Sequence, residues 1–265
     1  MKNNIGDNNE IVDSIGSIVK MVLLKYEVHE RDKKEDVIFS FISKSYSLLN
    51  AIKILLKEGQ YGESVVLYRV LIERYLYLHY LESENMFERF DDWSFVKSYN
   101  TRNKARSFPQ FNKSIPKEFL QNGTGEVARY KSLEGCDIGW LEPKLEKYAR
   151  KIDLGFLYSL GYDIGSSYVH PRALEGWEDA KRIVKGEDLE EWRKSSLLNN
   201  ALAISSGIIS VGISASSFDW GAQLLKINNV ICMYLNKEIT KEEVENHKMI
   251  ILSELMVLSE KVSLN

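Results

Sequence analysis

The sequence has few residues that break helices. Only four of its 265 residues are proline, at positions 109, 116, 143 and 171, and 16 are glycine. Because proline interrupts a helix, the proline-free stretches 1–108 and 172–265 favour long helices. The composition therefore already favours a helical protein.

Cysteine and histidine are also scarce. Cys136 and Cys232 do not form a CxxC pair, and the four histidines lie far apart, at positions 29, 79, 170 and 247. Neither pattern matches the spacing of zinc ligands, and the sequence has no glycine-rich phosphate loop. We therefore predict no metal and no cofactor.

Charge and cellular location follow from the same composition. The net charge is −3 and the pI about 5.9, which excludes a polycation that coats nucleic acid but leaves a local basic patch open. The polar N-terminal segment lacks the apolar core of a signal peptide, and two cysteines without a pairing pattern suit a reducing compartment. We expect the protein in the cytoplasm.

Apolar residues recur at three- and four-residue steps along most of the chain, and no strand pattern is found. We predict one all-α domain, a bundle of about eight to ten helices over residues 1–265, with a flexible tail at 1–8. An irregular insert at 108–135 would hold one or two short helices. The predicted helices lie at 9–30, 37–58 before Gly59, 62–84, 86–107, 143–152, 154–170 and 187–220, and the Thr240-Lys-Glu-Glu243 capping box opens a final helix.

The segment 201–216 is dominated by small residues, including Gly207 and Gly212. It approaches the length that spans a membrane, but it contains several serines and follows Asn199-Asn200. These polar residues favour a tightly packed core or dimer helix over a membrane span. We expect a homo-oligomer without a membrane partner.

The stretch from Gly161 to Pro171 gathers most of the polar residues that could perform chemistry. In a helix, Tyr162, Ser166 and His170 are spaced i, i+4 and i+8, and they converge on one end of one face. Pro171 restricts His170 to the helix end, where the helix dipole stabilises positive charge. This position suits a phosphate contact or a general acid.

Asp163 and Ser167 share this helix end with His170, at i, i+4 and i+7. A Ser-His-Asp hydrolase triad is disfavoured, because no strained nucleophile turn or oxyanion hole accompanies the three residues. The alternative is structural: His170 caps carbonyl groups at the helix end, and Ser167 bonds back to the helix.

A second cluster lies in the apolar helix at 62–84, where Arg69 and Glu73 are one turn apart. Charges on such a face tend to be partly buried and paired, either with each other or with polar groups of another helix. Arg69 and Glu73 therefore have two possible roles. They form a structural ion pair that fixes the helix register, or they belong to a site where Arg69 binds an anion beside His170.

Arg74 and His79 are separated by four residues. This spacing resembles the catalytic motif of the HEPN ribonucleases, small helical bundles that cleave RNA without metal at a dimer interface. The resemblance departs from that family at Tyr75, where a polar residue is usual.

Two longer motifs, Leu67-Tyr-Arg69-Val-Leu-Ile-Glu73 and Tyr158-x3-Tyr162-x3-Ser166-Ser-Tyr-Val-His170-Pro171, resemble those of an uncharacterised bacterial all-helical family, over residues 35–175. The resemblance implies one polar cluster between helices, formed by Arg69, Glu73, Tyr162, Ser166 or Ser167, and His170. The family in turn resembles helical proteins of bacterial toxin and phage-defence systems.

Two functional hypotheses remain open. In the first, the protein is a metal-independent ribonuclease or a toxin-like effector of phage defence. His170 is then the general acid or base, Arg69 holds the scissile phosphate, and Glu73 and Tyr162 orient these two side chains. Ser167 is the fifth candidate residue of this catalytic site. RNA or another anionic ligand is then the partner. In the second, the protein is a non-catalytic helical binding or scaffold protein, and the same cluster is a buried polar register.

Overall fold

The computed structural model describes residues 5–28, 31–108, 122–136, 138, 143–170, 176–186, 190–217 and 221–262. This part of the chain forms eleven helices and no strand, which confirms the all-α fold. The helices are α1 Ile5–Val28, α2 Lys33–Lys57, α3 Tyr61–Ser83, α4 Phe87–Arg106, α5 Thr124–Leu133, α6 Leu145–Lys151, α7 at 155–167, α8 Trp177–Lys185, α9 Glu191–Ala215, α10 Gly221–Leu235 and α11 Lys241–Val262.

Helix α7 is not a uniform α-helix. It begins as an α-helix at Gly155–Leu157, widens into a π turn at Tyr158–Tyr162 and returns to α-helix at Asp163–Ser167. A π turn inside an α-helix is rare and occurs frequently at functional sites. Its position therefore directs attention to α7.

Side chains and backbone groups cap the helix ends where the sequence indicates a boundary. The Asp32 carboxylate accepts a hydrogen bond from the Glu35 N–H at 2.7 Å at the start of α2. Thr240 and Glu243 form the predicted capping box before α11, with hydrogen bonds of 3.3 and 2.7 Å. Gly59, which follows α2, adopts a φ of +72°, a conformation that glycine adopts without strain.

The chain divides into two compact units, residues 1–80 with 143–265, and residues 81–142. In the first unit α1, α2, α9 and α10 pack against one another, and α11 packs on α10. Burial of each large aliphatic side chain contributes about 1.5–3 kcal/mol. Fully buried members of this core include Ile11, Ile15, Ile38, Ile42, Leu49, Ile52, Ile208 and Ile231.

The small residues of α9 are used inside the first unit. A Cβ on Gly212 would lie 2.8 Å from Ile42 of α2, and a Cβ on Gly207 would lie 2.9 Å from Tyr75 of α3. Both glycines thus allow close packing within the chain. The homo-oligomer that we predicted from them remains a prediction and needs another surface.

Among the described residues, α9 is the one helix that is long and apolar enough to cross a membrane. The most apolar 18-residue stretch of this helix is 61% buried inside the protein. The core helix of a soluble protein passes the same test of length and composition, so this helix is weak evidence for a membrane span.

The second unit contains α4 and α5, which are joined by ion pairs. Arg129 of α5 donates to Asp91 and Asp92 near the start of α4, at 2.5 and 2.8 Å. Arg102, near the end of α4, donates to Glu126 at 2.7 Å. This pairing requires the two helices to run antiparallel.

Several boundaries differ from the sequence-based prediction. Helix α1 already begins at Ile5, inside the predicted tail 1–8, and residues 1–4 lie outside the described part. In the predicted insert 108–135, α5 is one of the expected short helices, while residues 109–121 lie outside the described part. Helices α8 and α10 were not predicted. The single domain over 1–265 stays a prediction, because the presence of two compact units does not show whether either unit folds independently.

Candidate functional site

Helices α3 and α7 approach each other closely because α7 presents two glycines to α3. A Cβ on Gly165 would lie 2.5 Å from the Arg69 Cβ and 3.3 Å from the Val65 carbonyl oxygen. A Cβ on Gly161, one turn earlier, would lie 2.2 Å from Ile72. No larger residue fits at Gly165 without moving the two helices apart, so this spacing fixes where Arg69 meets α7.

Arg69 contacts Tyr162 of α7 in two ways. Its Nη2 donates a hydrogen bond to the Tyr162 hydroxyl oxygen at 2.9 Å. Its guanidinium carbon also lies 4.5 Å from the centre of the Tyr162 ring, within the range of a cation–π interaction. The structure thus brings together two of the predicted site residues.

Tyr158 stacks on Tyr162, the residue that contacts Arg69. Its ring lies parallel to that of Tyr162, with centroids 4.6 Å apart and an interplanar angle of 17°. Burial raises the pKa of the Tyr158 hydroxyl, the neighbouring Tyr162, Asp163 and Glu146 raise it further, and the positive charge of Arg69 opposes them.

Among the residues that the structure describes, no carboxylate neutralises the charge of Arg69. The half-buried side chain forms no ion pair with a described residue, and Nη1 makes no hydrogen bond to one. The Nε–H is shielded and also lacks an acceptor. Within the described residues this partly desolvated guanidinium bonds only to the Tyr162 phenol. It therefore has unused capacity for an anion, because a desolvated charge is stable when it is paired.

The structure does not pair Glu73 with Arg69 among the described residues. The half-buried Glu73 acts instead on Arg74: burial lowers the pKa of the Arg74 guanidinium, and the Glu73 charge counteracts this. The register-fixing ion pair that we considered for Arg69 and Glu73 is thus not formed.

The two serines of α7 bond to the backbone of their own helix. Ser166 Oγ donates to the Tyr162 carbonyl at 2.8 Å, and Ser167 Oγ donates to the Ile164 carbonyl at 2.7 Å. Neither hydroxyl bonds to His170, so the described residues contain no Ser-His pair of the hydrolase type. For Ser167 this is the structural role that the sequence left open.

His170 lies three residues beyond the end of α7. Its backbone N–H donates to the Ser166 carbonyl at 3.3 Å, and its exposed side chain makes no hydrogen bond or ion pair with a described residue. Pro171, which we expected to end the helix, lies outside the described residues. The imidazole is accessible, and the structure shows no bond between it and Arg69.

Arg74 and His79, the two residues of the ribonuclease-like spacing, have different neighbours. Arg74 lies over the ring of Phe41 in α2, at 5.5 Å. His79 Nδ1 is hydrogen-bonded to the Tyr148 hydroxyl of α6 at 2.9 Å. The geometry adds no support to the resemblance, which stays a prediction.

Sequence reasoning did not assign a role to Tyr158, Gly161 or Gly165. A signal was present, because Tyr158 and Tyr162 are four residues apart, as are Gly161 and Gly165. Two parallel four-residue repeats place aromatic rings on one strip of a helix and small residues on the next. The widening of the helix at Tyr158–Tyr162 had no such signal.

Comparison with known proteins gives a family and no activity. The profile of DUF5677, a family of unknown function, matches residues 35–187, which include both helices of the site. No curated protein and no solved structure matches the chain.

Proposed function

Since the chain belongs to DUF5677, a family of unknown function, we propose a function from the chemistry of the site between α3 and α7. The protein is a helical binding protein, and Arg69 binds a phosphate group of its ligand, RNA. The observation that carries this proposal is the half-buried guanidinium of Arg69, which has no carboxylate partner among the described residues.

The position of Arg69 suits a phosphate. The Tyr162 hydroxyl accepts a hydrogen bond from Nη2, and the Tyr162 ring contacts the guanidinium, so the group is already held in place before a ligand arrives. A planar guanidinium can donate two parallel hydrogen bonds to phosphate oxygens, which a lysine ammonium cannot do. Preorganisation of this kind lowers the entropic cost of binding.

RNA is the expected ligand because it combines phosphates with bases that stack on aromatic side chains. The half-exposed ring of Tyr158 lies next to the Arg69–Tyr162 pair, and aromatic rings beside a cation are typical of proteins that bind single strands. The whole chain is acidic, so the affinity depends on this local site and not on net charge. We also propose that the protein lies in the cytoplasm, where single-stranded RNA is abundant.

The test is the affinity for a fluorescently labelled oligoribonucleotide, measured by anisotropy with inorganic phosphate as competitor. Loss of a charged hydrogen bond costs about 1.5–3 kcal/mol, so Arg69→Gln should raise the dissociation constant roughly tenfold or more. Arg69→Lys should restore only part of the affinity. Arg193→Gln removes the same charge from α9 of the same unit and serves as the matched control. Equal affinities for the Arg69 and Arg193 variants would contradict the proposal.

A second candidate is metal-independent RNA cleavage, in the manner of a toxin-like effector of bacterial phage defence. It is favoured by His170, whose exposed imidazole is free of side-chain partners among the described residues and could serve as a general acid or base. Here Arg69 would hold the scissile phosphate.

Incubation of total RNA with the protein and a chelator separates the two candidates. Cleavage that is abolished by His170→Ala and by Arg69→Gln would support the enzyme, as would growth inhibition on expression that His170→Ala relieves. If the protein binds RNA and leaves it intact, the result would support the binding function and exclude the ribonuclease.

A further inference from the structure

Helix α4 of the second unit carries exposed positive charges along one side. Lys97, Thr101 and Lys104 are exposed and are spaced i, i+4 and i+7, so they lie on one face of the helix. The Lys97 Nζ lies 5.7 Å from the centre of the Trp93 ring, one turn earlier on the same face. Phe108, which is 41% exposed, follows the helix end. We call Lys97, Thr101, Lys104 and Phe108 the basic row of α4.

The charge of this segment has one sign. None of the 38 acidic residues of the chain lies between Trp93 and Phe108, where four basic residues occur. Among the residues that the structure describes, Lys97 and Lys104 form no ion pair. In a protein with a net charge of −3, the segment is therefore a local basic patch of the kind that polyanions bind.

The other two basic residues of the segment face α5. Arg102 donates to Glu126 at 2.7 Å, and Arg106 donates to the side-chain oxygens of Asn103 and Asn122, both at 3.0 Å. The hydrogen bond from Arg102 is the main cause that lowers the pKa of Glu126, and the charges of both arginines lower it further. The carboxylate of Glu126 is thus bound on the α5 side and does not neutralise the two lysines.

The helix dipole explains only part of the basic row. A cation in the last turn of a helix stabilises that helix, and this effect falls off beyond the last turn. Lys104 lies in the last turn of α4, which ends at Arg106, but Lys97 lies more than two turns before that end. A ligand with several negative charges accounts for both lysines.

We propose that the basic row of α4 binds a single strand of RNA, as a second contact surface besides Arg69. Lys97 and Lys104 lie roughly 10 Å apart along the helix axis, the spacing of about three stacked nucleotides, so they bind separate phosphates of one strand. The exposed ring of Phe108 offers a face on which a base stacks. The choice of RNA rests on the proposed function, but the row itself lies in the second unit and does not include Arg69.

The salt dependence of the affinity tests the two lysines. Each lysine that binds a phosphate of a single strand displaces a counterion, which adds about 0.7 to the slope of log affinity against log salt concentration. In anisotropy titrations of a labelled oligouridylate at about 50–200 mM salt, Lys97→Gln with Lys104→Gln should therefore reduce the slope by about 1.4 and weaken binding roughly tenfold. Lys20→Gln with Lys226→Gln is the matched control, because it removes two exposed helical lysines from the first unit. The control should keep the wild-type slope.

Arg69→Gln in the same titrations separates this proposal from the proposed function. If the double lysine variant keeps the wild-type slope and affinity while Arg69→Gln loses affinity, the basic row is excluded and the site at Arg69 stands. The opposite result would support the basic row and contradict the role of Arg69. A wild-type protein that binds no oligouridylate would overturn both proposals.

Phe108→Leu distinguishes RNA from an acidic protein segment as the ligand. Loss of a stacked base should weaken oligouridylate binding about fivefold or more, and the salt slope should stay unchanged because stacking displaces no counterion. Circular dichroism checks that each variant keeps its helices. Full affinity of Phe108→Leu, or a polyglutamate peptide that competes as well as unlabelled oligouridylate, would overturn the assignment to RNA.

Discussion

Arg69 and Tyr162 bind each other through both the edge and the face of the phenol. The hydroxyl oxygen of Tyr162 accepts a hydrogen bond from Arg69 Nη2 at 2.9 Å, and the same ring lies 4.5 Å below the guanidinium carbon. One side chain of α7 thus holds the guanidinium of α3 through two contacts. The orientation of Arg69 is what the proposed phosphate site requires.

Removal of the Tyr162 hydroxyl should separate these two contacts. Tyr162→Phe keeps the ring and loses the hydrogen bond, so we expect a loss of about 1 kcal/mol in unfolding free energy and a several-fold weaker affinity for the oligoribonucleotide. Urea denaturation and anisotropy measure the two effects. Tyr130→Phe, which removes a tyrosine hydrogen bond to Asn100 in the other unit, should leave the affinity unchanged. A Tyr162→Phe protein with full affinity would show that the hydroxyl does not position Arg69.

The close approach of α3 and α7 predicts that Gly165→Ala is destabilising. The added Cβ would lie 2.5 Å from the Arg69 Cβ, which cannot move without the α3 backbone, so we expect a loss of about 1–3 kcal/mol. Gly125→Ala in α5 is the control, because nothing lies within 4 Å of its Cβ position. There alanine should be neutral or stabilising by up to about 1 kcal/mol. Equal stability of the two variants, measured by thermal unfolding, would refute the close contact.

A buried polar network between α9 and α10 should contribute to stability. Asn228 is 1% exposed; its amide oxygen accepts a hydrogen bond from Ser206 Oγ, and its amide nitrogen donates to Ser210 Oγ. Asn228→Ala leaves both hydroxyls without this partner and should cost about 1–3 kcal/mol. The adjacent, exposed Asn229 gives a matched control, since Asn229→Ala should change the unfolding free energy by less than about 0.5 kcal/mol. Similar losses at both positions would exclude a special role for the network.

Glu245 of α11 should make stability depend on acid pH. Burial would raise its pKa, but the hydrogen bonds from Lys248 and Ser14 and the charges of Lys248 and Lys241 outweigh burial and lower it. The folded protein therefore holds Glu245 ionised more strongly than the unfolded chain does. The resulting stabilisation is present above the unfolded pKa of about 4.3 and is lost as the pH falls through the lower folded value.

The measurement for Glu245 is the difference in unfolding free energy between wild type and Glu245→Gln at several pH values. We expect about 0.5 kcal/mol near pH 7, because the pair is partly exposed, and a decrease toward zero in acid. Glu27→Gln, at an exposed glutamate of α1, is the control variant. A difference that grows as the pH falls would contradict the assigned direction of the pKa shift.

Local sequence patterns were sufficient to predict much of the helical architecture. Gly59 and the Thr240–Glu243 box mark helix ends through backbone chemistry that involves only nearby residues, and both act as expected. Arg69 was identified because a charge in an apolar helix must find a polar neighbour. The sequence does not show whether this neighbour is Glu73 or a polar group of another helix, because the answer depends on how closely α7 approaches α3.

The features that were missed depend on tertiary packing. Along the part of α7 that contains the π turn, Gly161 and Gly165 lie against α3 and Tyr162 contacts Arg69. None of these contacts between α3 and α7 can be predicted from the sequence of one helix alone. In the same way, the glycines of α9 indicate close packing, but the sequence does not tell whether the partner is α2 and α3 or a second chain.

The most direct test of the central claim observes the guanidinium of Arg69 while phosphate is added. Side-chain arginine signals can be followed by ¹H–¹⁵N NMR, and Arg69→Lys identifies those of Arg69 by their loss. The account predicts that these signals shift saturably on titration with inorganic phosphate or an oligoribonucleotide, while those of Arg193 do not. Unchanged Arg69 signals in a protein that still binds the oligoribonucleotide would contradict it.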